Sequence, residues 1–372
     1  MDTDKKQIAS LQALRGLACM SVFFHHCQFP NIVYWAVSLF FVLSGFFSVY
    51  SEKASGFKSD RNISNPFRYS VSRIKKLYPL HVAITFFFLL LTLYWSRKSF
   101  DTENMATLAI QFVLSIFLLQ SLIPNVNYHW CLNTVSWYLS TLFFVFLLYP
   151  VLRIKFQKYK SIAPALISII ILVITQYVLA YFHEPINRFI ASILMFPEGE
   201  NILPWIYYVS PFFRSIDFMI GCNLAYIITS SKAPVSKTYV HTVDILCVLL
   251  FILAVVAYRS SDTVFSVLSF QRGPLFTPFV ICIILSFYYN SGIISRVFTN
   301  RFTILIGNIS AEFYLIHYAV IICIYRIADR FPINYEQKLI TVTIVSAVLS
   351  LIFCLVWRKL SRVISSNKFL TN

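Results

Sequence analysis

Residues 11–26 read Leu11-Gln12-Ala13-Leu14-Arg15-Gly16-Leu17-Ala18-Cys19-Met20-Ser21-Val22-Phe23-Phe24-His25-His26. The run is apolar and continues to Phe29, and it lacks the strict apolar–polar alternation of a barrel strand. About 20 mostly apolar residues are enough for a helix to cross a bilayer. Ten more runs of this kind follow: Ile32–Tyr50, Leu77–Trp95, Ala106–Ile123, Ser136–Leu152, Ile162–Phe182, Trp205–Ile228, Val243–Tyr258, Phe276–Tyr289, Thr303–Tyr325 and Leu339–Trp357. Prolines and charge clusters separate them. The expected fold is all-α, a polytopic transmembrane helical bundle. A single membrane-embedded domain over residues 1–372 is expected, with no appended soluble domain.

Composition agrees. The chain is 58% hydrophobic and 12% charged, about half the charge of a typical soluble domain, and its mean hydropathy is +0.71. Lys and Arg number 31 against 15 Asp and Glu. They cluster between the apolar runs and not along one stripe, so membrane topology explains them and nucleic acid is not an expected partner. The segment Ser51–Lys76 holds Lys53, Lys58, Arg61, Arg68, Arg73, Lys75 and Lys76, and Arg153, Lys155, Lys158 and Lys160 form a second cluster. With Lys5, Lys6 and the basic tail from Arg358, these place both termini in the cytoplasm of a plasma (inner) membrane protein. Eleven crossings cannot return the chain to its starting side. The conflict falls between Lys76 and Arg153, so about ten crossings are expected plus one re-entrant segment, assigned to Ala106–Ile123.

Arg15 and His26 are eleven positions apart. At about 100° per residue this is three turns plus roughly 20°, so both project from one face, with a rise of about 16–17 Å. His25 points about 80° away. An ionisable pair at depth is a functional candidate, while a snorkelling arginine and a histidine bonded to a neighbouring helix would look the same. Spacing alone leaves both readings open. Of the remaining histidines, His81, His129, His183 and His241 sit at run edges and read as interfacial or loop residues. The eight cysteines show neither disulfide nor metal-site spacing. No Gly-rich phosphate loop, HExxH, CxxC, Ser-x-x-Lys or Gly-x-Ser-x-Gly pattern occurs, so neither a metal nor a permanently bound cofactor is expected.

Leu11 through Ala18, the Arg15–His26 spacing and Val37-Ser38-Leu39-Phe40-Phe41-Val42-Leu43-Ser44-Gly45-Phe46 together resemble the opening of membrane acyltransferase family three. Its members O-acylate surface glycans, lipopolysaccharide, peptidoglycan and small molecules. Arg73-Ile74-Lys75-Lys76-Leu77-Tyr78-Pro79-Leu80 resembles the family's basic loop, with Lys76 where a second arginine is usual. Lysine keeps the charge but loses the bidentate fork. Asn133-Thr134-Val135-Ser136-Trp137-Tyr138-Leu139-Ser140 resembles the Asn-x-x-Ser-Trp segment, without the Glu that often follows. Ser210 through Gly221 and Ile306 through His317 resemble two later blocks.

The resemblance implies an O-acyltransferase moving acetyl from cytoplasmic acetyl-CoA to a hydroxyl of a surface polysaccharide or glycolipid. A hydroxyl attacking a thioester needs a base, an anchor for the donor and support for the oxyanion. His26 is the expected base, and Arg15 binds the donor or steadies the developing charge. Arg73 and Lys76 hold CoA phosphates, unless Lys76 merely sets topology. Trp137, Ser140, Arg214, Asp217, Tyr314 and His317 are the expected substrate contacts. Arg214 and Asp217, three apart, read equally well as a structural ion pair. A secondary transporter or flippase of a glycan precursor, with His26 and Asp217 in its pathway, is the alternative, and a non-catalytic scaffold the third reading.

Overall fold

A backbone that leaves water must satisfy its own N–H and C=O groups, and the helix does so within one segment. Each of the eleven apolar runs accordingly contains helix in the computed structural model, which describes residues 2–29, 32–54, 65–96, 102–197, 201–231, 236–260 and 267–368. No strand occurs among the described residues. In chain order the helices are α1 (Asp2–His26), α2 (Tyr34–Ala54), α3 (Pro66–Ile74), α4 (Tyr78–Ser96), α5 (Thr102–Ile116), α6 (Trp137–Phe146) and α7 (Tyr149–Lys158). They continue as α8 (Ala163–Tyr181), α9 (His183–Ile193), α10 (Pro211–Ser230), α11 (Lys237–Arg259), α12 (Thr277–Tyr289), α13 (Arg301–Ala328) and α14 (Tyr335–Lys368).

Among the described residues, eight helices are long and apolar enough to cross a membrane, and α6 with α7, bent by 45° at a short break, makes a ninth if the pair is one span. The break has a local cause. Leu147 and Leu148 close three-residue turns onto Phe144 and Val145, and Pro150 in the first turn of α7 cannot donate a helical hydrogen bond backwards. The run at Ala106–Ile123 is not a continuous span. Its helix α5 has 15 residues, about 22 Å against a hydrocarbon core of about 30 Å, and Leu118 beyond it takes φ 56°. The apolar helix of Pro274–Tyr289 is short as well.

Burial separates an inner set from an outer one. Half or more of the spanning stretch is buried in α1, α2, α10 and α13, but only 17–28% in α4, α8, α11 and α14. The outer helices turn Leu90, Ile167, Ile171, Leu253, Val256 and Leu355 outward, each more than half exposed, as lipid-facing surfaces do.

Glycine pairs set the spacing inside. The sequence has only 8 glycines, and four of them sit where two inner helices touch backbone to backbone. A Cβ at Gly16 of α1 would lie 2.2 Å from the Thr303 carbonyl oxygen of α13, and one at Gly307 would lie 1.7 Å from the Gln12 carbonyl oxygen. Gly45 of α2 and Gly221 of α10 make the same reciprocal contact, at 2.0 Å from the Phe218 oxygen and 1.8 Å from the Val42 oxygen. Small residues let membrane helices approach this closely, where van der Waals contact drives association.

Candidate active site

The contact of α1 with α13 has a register. Gly16 faces Gly307, and the Cys19 thiol meets the Ser310 carbonyl oxygen at 3.8 Å. Both pairs are offset by 291 positions, so the two helices run parallel and in step. Carried ten residues further, or about 15 Å, the same offset joins His26 to His317. Their Nδ1 and Nε2 atoms lie 2.8 Å apart. The His317 ring stacks on Phe313, with an interplanar angle of 2° and centroids 5.8 Å apart, and its Nδ1 lies 3.0 Å from the Phe313 carbonyl oxygen. His25, as its angle on the helix requires, is exposed.

A cavity of about 230 Å³ lies nearer the basic ends of the helices. Arg15 of α1 enters it, and α2 lines it with Phe40, Leu43, Ser44, Phe47 and Ser48. Tyr138, Leu139, Leu142 and Phe146 come from α6, and Ser310, Ala311, Tyr314 and Leu315 from α13. Arg73, an exposed residue stacked 4.9 Å over the Tyr69 ring, completes the lining with Leu77. Among the described residues, two guanidinium groups and no carboxylate line this space, so it attracts anions. The hydroxyls of Ser44, Ser48 and Ser310 donate to carbonyl oxygens of their own helices at 2.7–2.8 Å. His26 is not among the lining residues. The cavity lining on α13 reaches as far along the chain as Tyr314 and Leu315, and the Tyr314 ring centroid is 5.8 Å from that of His317.

The other expected site residues are placed differently. Lys76 is exposed and outside the lining. The Ser140 hydroxyl donates to the Leu118 carbonyl oxygen at 2.6 Å and accepts the Ser121 N–H at 3.2 Å, which pins the chain after α5. Trp137 is buried against Tyr208, with ring centroids 4.9 Å apart.

Arg214 and Asp217 are both fully buried and paired at 2.8 Å. Arg214 also donates to Ser38 Oγ at 3.1 Å, the Tyr208 oxygen at 2.9 Å and the Arg272 oxygen at 2.8 Å. Gln176 donates to Asp217 at 2.8 Å and accepts from Thr277. This network binds α2, α8, α10 and α12, and the structural reading of the pair accounts for every bond.

His81 and His129 are buried within the protein. His81 is fully buried with Nε2 2.9 Å from the Ser115 carbonyl oxygen, and His129 is 3% exposed with Nδ1 3.1 Å from that of Ile123. Burial lowers the His129 pKa to about 4, so it is neutral at pH 7. Two residues escaped the sequence reading. Tyr138 lies inside a quoted motif yet faces Arg15 across the cavity, and Arg272 lies over the Tyr34 and Tyr208 rings with Nε and Nη1 buried and unbonded. Tyr138 follows the conspicuous Trp137 by one position, about 100° round the helix, which was the available signal. For Arg272 there was none.

Comparison with known proteins adds the decisive observation: the family described as an acyltransferase domain matches residues 8–358. The chain belongs to acyltransferase family three. No curated protein and no solved structure matches it. As a multi-pass membrane acyltransferase, it holds its cavity and its histidine pair within the stretch that matches the family. The transporter alternative loses its footing, since Asp217 is locked to Arg214 and Gln176.

Proposed function

We propose that this acyltransferase moves acetyl from acetyl-CoA to a hydroxyl of a cell-surface polysaccharide or glycolipid. The observation that carries the donor assignment is the cavity holding Arg15 and edged by Arg73, with no carboxylate among its described lining residues. Its mixed lining, apolar with scattered hydroxyls, suits the amide and alkyl arm of CoA, with Arg73 and the neighbouring Lys76 drawing the phosphates. Basic loops favour the cytoplasmic side, so the donor enters from the cytoplasm, where both termini lie. Arg15 then holds the arm midway, and the thioester points toward Tyr314 and His26.

The acceptor hydroxyl gives its proton to His26 as its oxygen attacks the thioester carbon. The tetrahedral oxyanion collapses, the C–S bond breaks, and the proton passes from His26 to the departing CoA sulfur. Base catalysis of this kind contributes about 10²–10⁴-fold. Tyr314 and His317 remain nearest the reacting groups, whereas Trp137, Ser140, Arg214 and Asp217 hold the frame.

The test supplies labelled acetyl-CoA to the purified protein in lipid nanodiscs and follows label in acceptor and release of CoA. Mass spectrometry of surface glycans from a deletion strain identifies the acceptor. Transfer by the native chain and its loss in a folded His26→Ala variant is the expected result. Undiminished transfer by His26→Ala rules out the base role, and a native chain that neither transfers acetyl nor releases CoA rules out the donor.

A further inference from the structure

We infer that His317 is a positioning residue that fixes the protonation of His26, so that two histidines do here what a histidine and a carboxylate do in other acyl-transfer sites. The inference rests on the reading of His26 as the base and adds a direction to its hydrogen bonds. A backbone carbonyl can only accept. The Phe313 oxygen, 3.0 Å from His317 Nδ1, therefore requires the N–H of His317 to sit on Nδ1. A neutral imidazole has one donor nitrogen and one acceptor. His317 Nε2 must then carry a lone pair, and it can only receive the N–H of His26 Nδ1, 2.8 Å away. Nε2 of His26 is left with its lone pair, ready to take a proton. One carbonyl oxygen thus sets the whole chain.

The packing holds that chain in place. His317 is 1% exposed, stacked on Phe313 and met edge-on by Phe23, with ring centroids 6.2 Å apart. The titratable side chains nearest the pair are His25 from α1, turned outward with its ring 5.8 Å from that of His26, and Tyr318 and Tyr314 from α13, 5.4 Å from His26 and 5.8 Å from His317 respectively. Among the described residues no carboxylate is bonded to His26 or His317. When Nε2 takes the hydroxyl proton, His26 becomes an imidazolium and keeps its N–H on Nδ1. The bond to His317 becomes charge-assisted and strengthens as the transition state forms. The proton then leaves with the CoA sulfur, and His317 ends as it began, never touching substrate.

The test compares His317→Phe, which keeps an aromatic ring against Phe313 and Phe23, with His317→Gln, which restores an acceptor oxygen. In nanodisc assays with acetyl-CoA, His317→Phe is expected to lower kcat about 10²-fold with the KM for acetyl-CoA within twofold, and His317→Gln to recover about tenfold. A packing role would give the opposite order. Carbethoxylation of His26 by diethyl pyrocarbonate, followed by mass spectrometry, reads the free lone pair without turnover. It should slow in His317→Phe and recover in His317→Gln. If His317→Phe matches the native chain in both readouts, or His317→Gln is no better than His317→Phe in either, the inference is overturned. If the carbethoxylation order holds in a protein that transfers no acetyl, the pairing stands and the proposed function falls.

Discussion

Arg73 and Lys76 carry the same charge three positions apart, yet Arg73 edges the cavity and Lys76 does not. Arg73→Ala should therefore raise the KM for acetyl-CoA several-fold, and Lys76→Ala less than twofold, with both effects shrinking at high salt. Steady-state kinetics at two ionic strengths check this, and equal effects would remove Arg73 from the donor site. Arg15 lies within the cavity, where a charge-assisted bond is worth about 1.5–3 kcal/mol. Arg15→Gln should cost about 10–150-fold in kcat/KM, and Arg15→Lys should restore only part of it, because an ammonium lacks the planar fork. Full activity in Arg15→Gln would show that the guanidinium is incidental.

At the scale of the element, the parallel contact of α1 and α13 does two jobs. It packs the inner bundle, and it delivers His26 to His317 in step. Gly307→Ala puts a methyl group where the Gln12 oxygen sits, and overpacking of this kind costs about 1–3 kcal/mol. Because the two helices must separate to admit it, transfer should fall together with thermal stability in detergent. Gly45→Ala, at the contact of α2 with α10, should lower stability by a similar amount while touching the histidine pair less. A Gly307→Ala variant with native melting and native activity would contradict the contact. The bend between α6 and α7 was legible in part, since Pro150 stands in the run Ser136–Leu152 and a proline inside a helical stretch kinks or ends it. The early end of α5 was not, because the apolar residues continue past it to Ile123.

Across the whole molecule, the Arg214–Asp217 pair ties together four helices and the segment that carries Arg272. Asp217→Asn leaves a buried guanidinium without its counter-charge, a loss of about 3–5 kcal/mol. Replacing both partners, as Arg214→Met with Asp217→Leu, should recover most of that stability. Thermal unfolding in detergent decides, and a double variant as unstable as the single one would mean that the pair does more than neutralise itself. Glu52 makes a comparable tie near the basic ends of the helices, accepting from Tyr149 and Arg153 of α7.

Hydrophobic patterning alone was enough to specify an all-helical membrane bundle, because a backbone removed from water has few ways to satisfy itself, and the apolar runs locate the segments that leave it. Helical periodicity likewise put Arg15 and His26 on one face and turned His25 away. Tertiary structure alone decided the partners. His26 and His317 are 291 positions apart, and no local pattern announces that two glycines will bring their helices into step. Nor does a sequence say whether an arginine in an apolar run meets a carboxylate or a cavity, since Arg15 and Arg214 look alike until the surrounding helices are in place. Contacts between distant helices depend on which side chains are small enough to let backbones touch, and that is settled by packing in three dimensions.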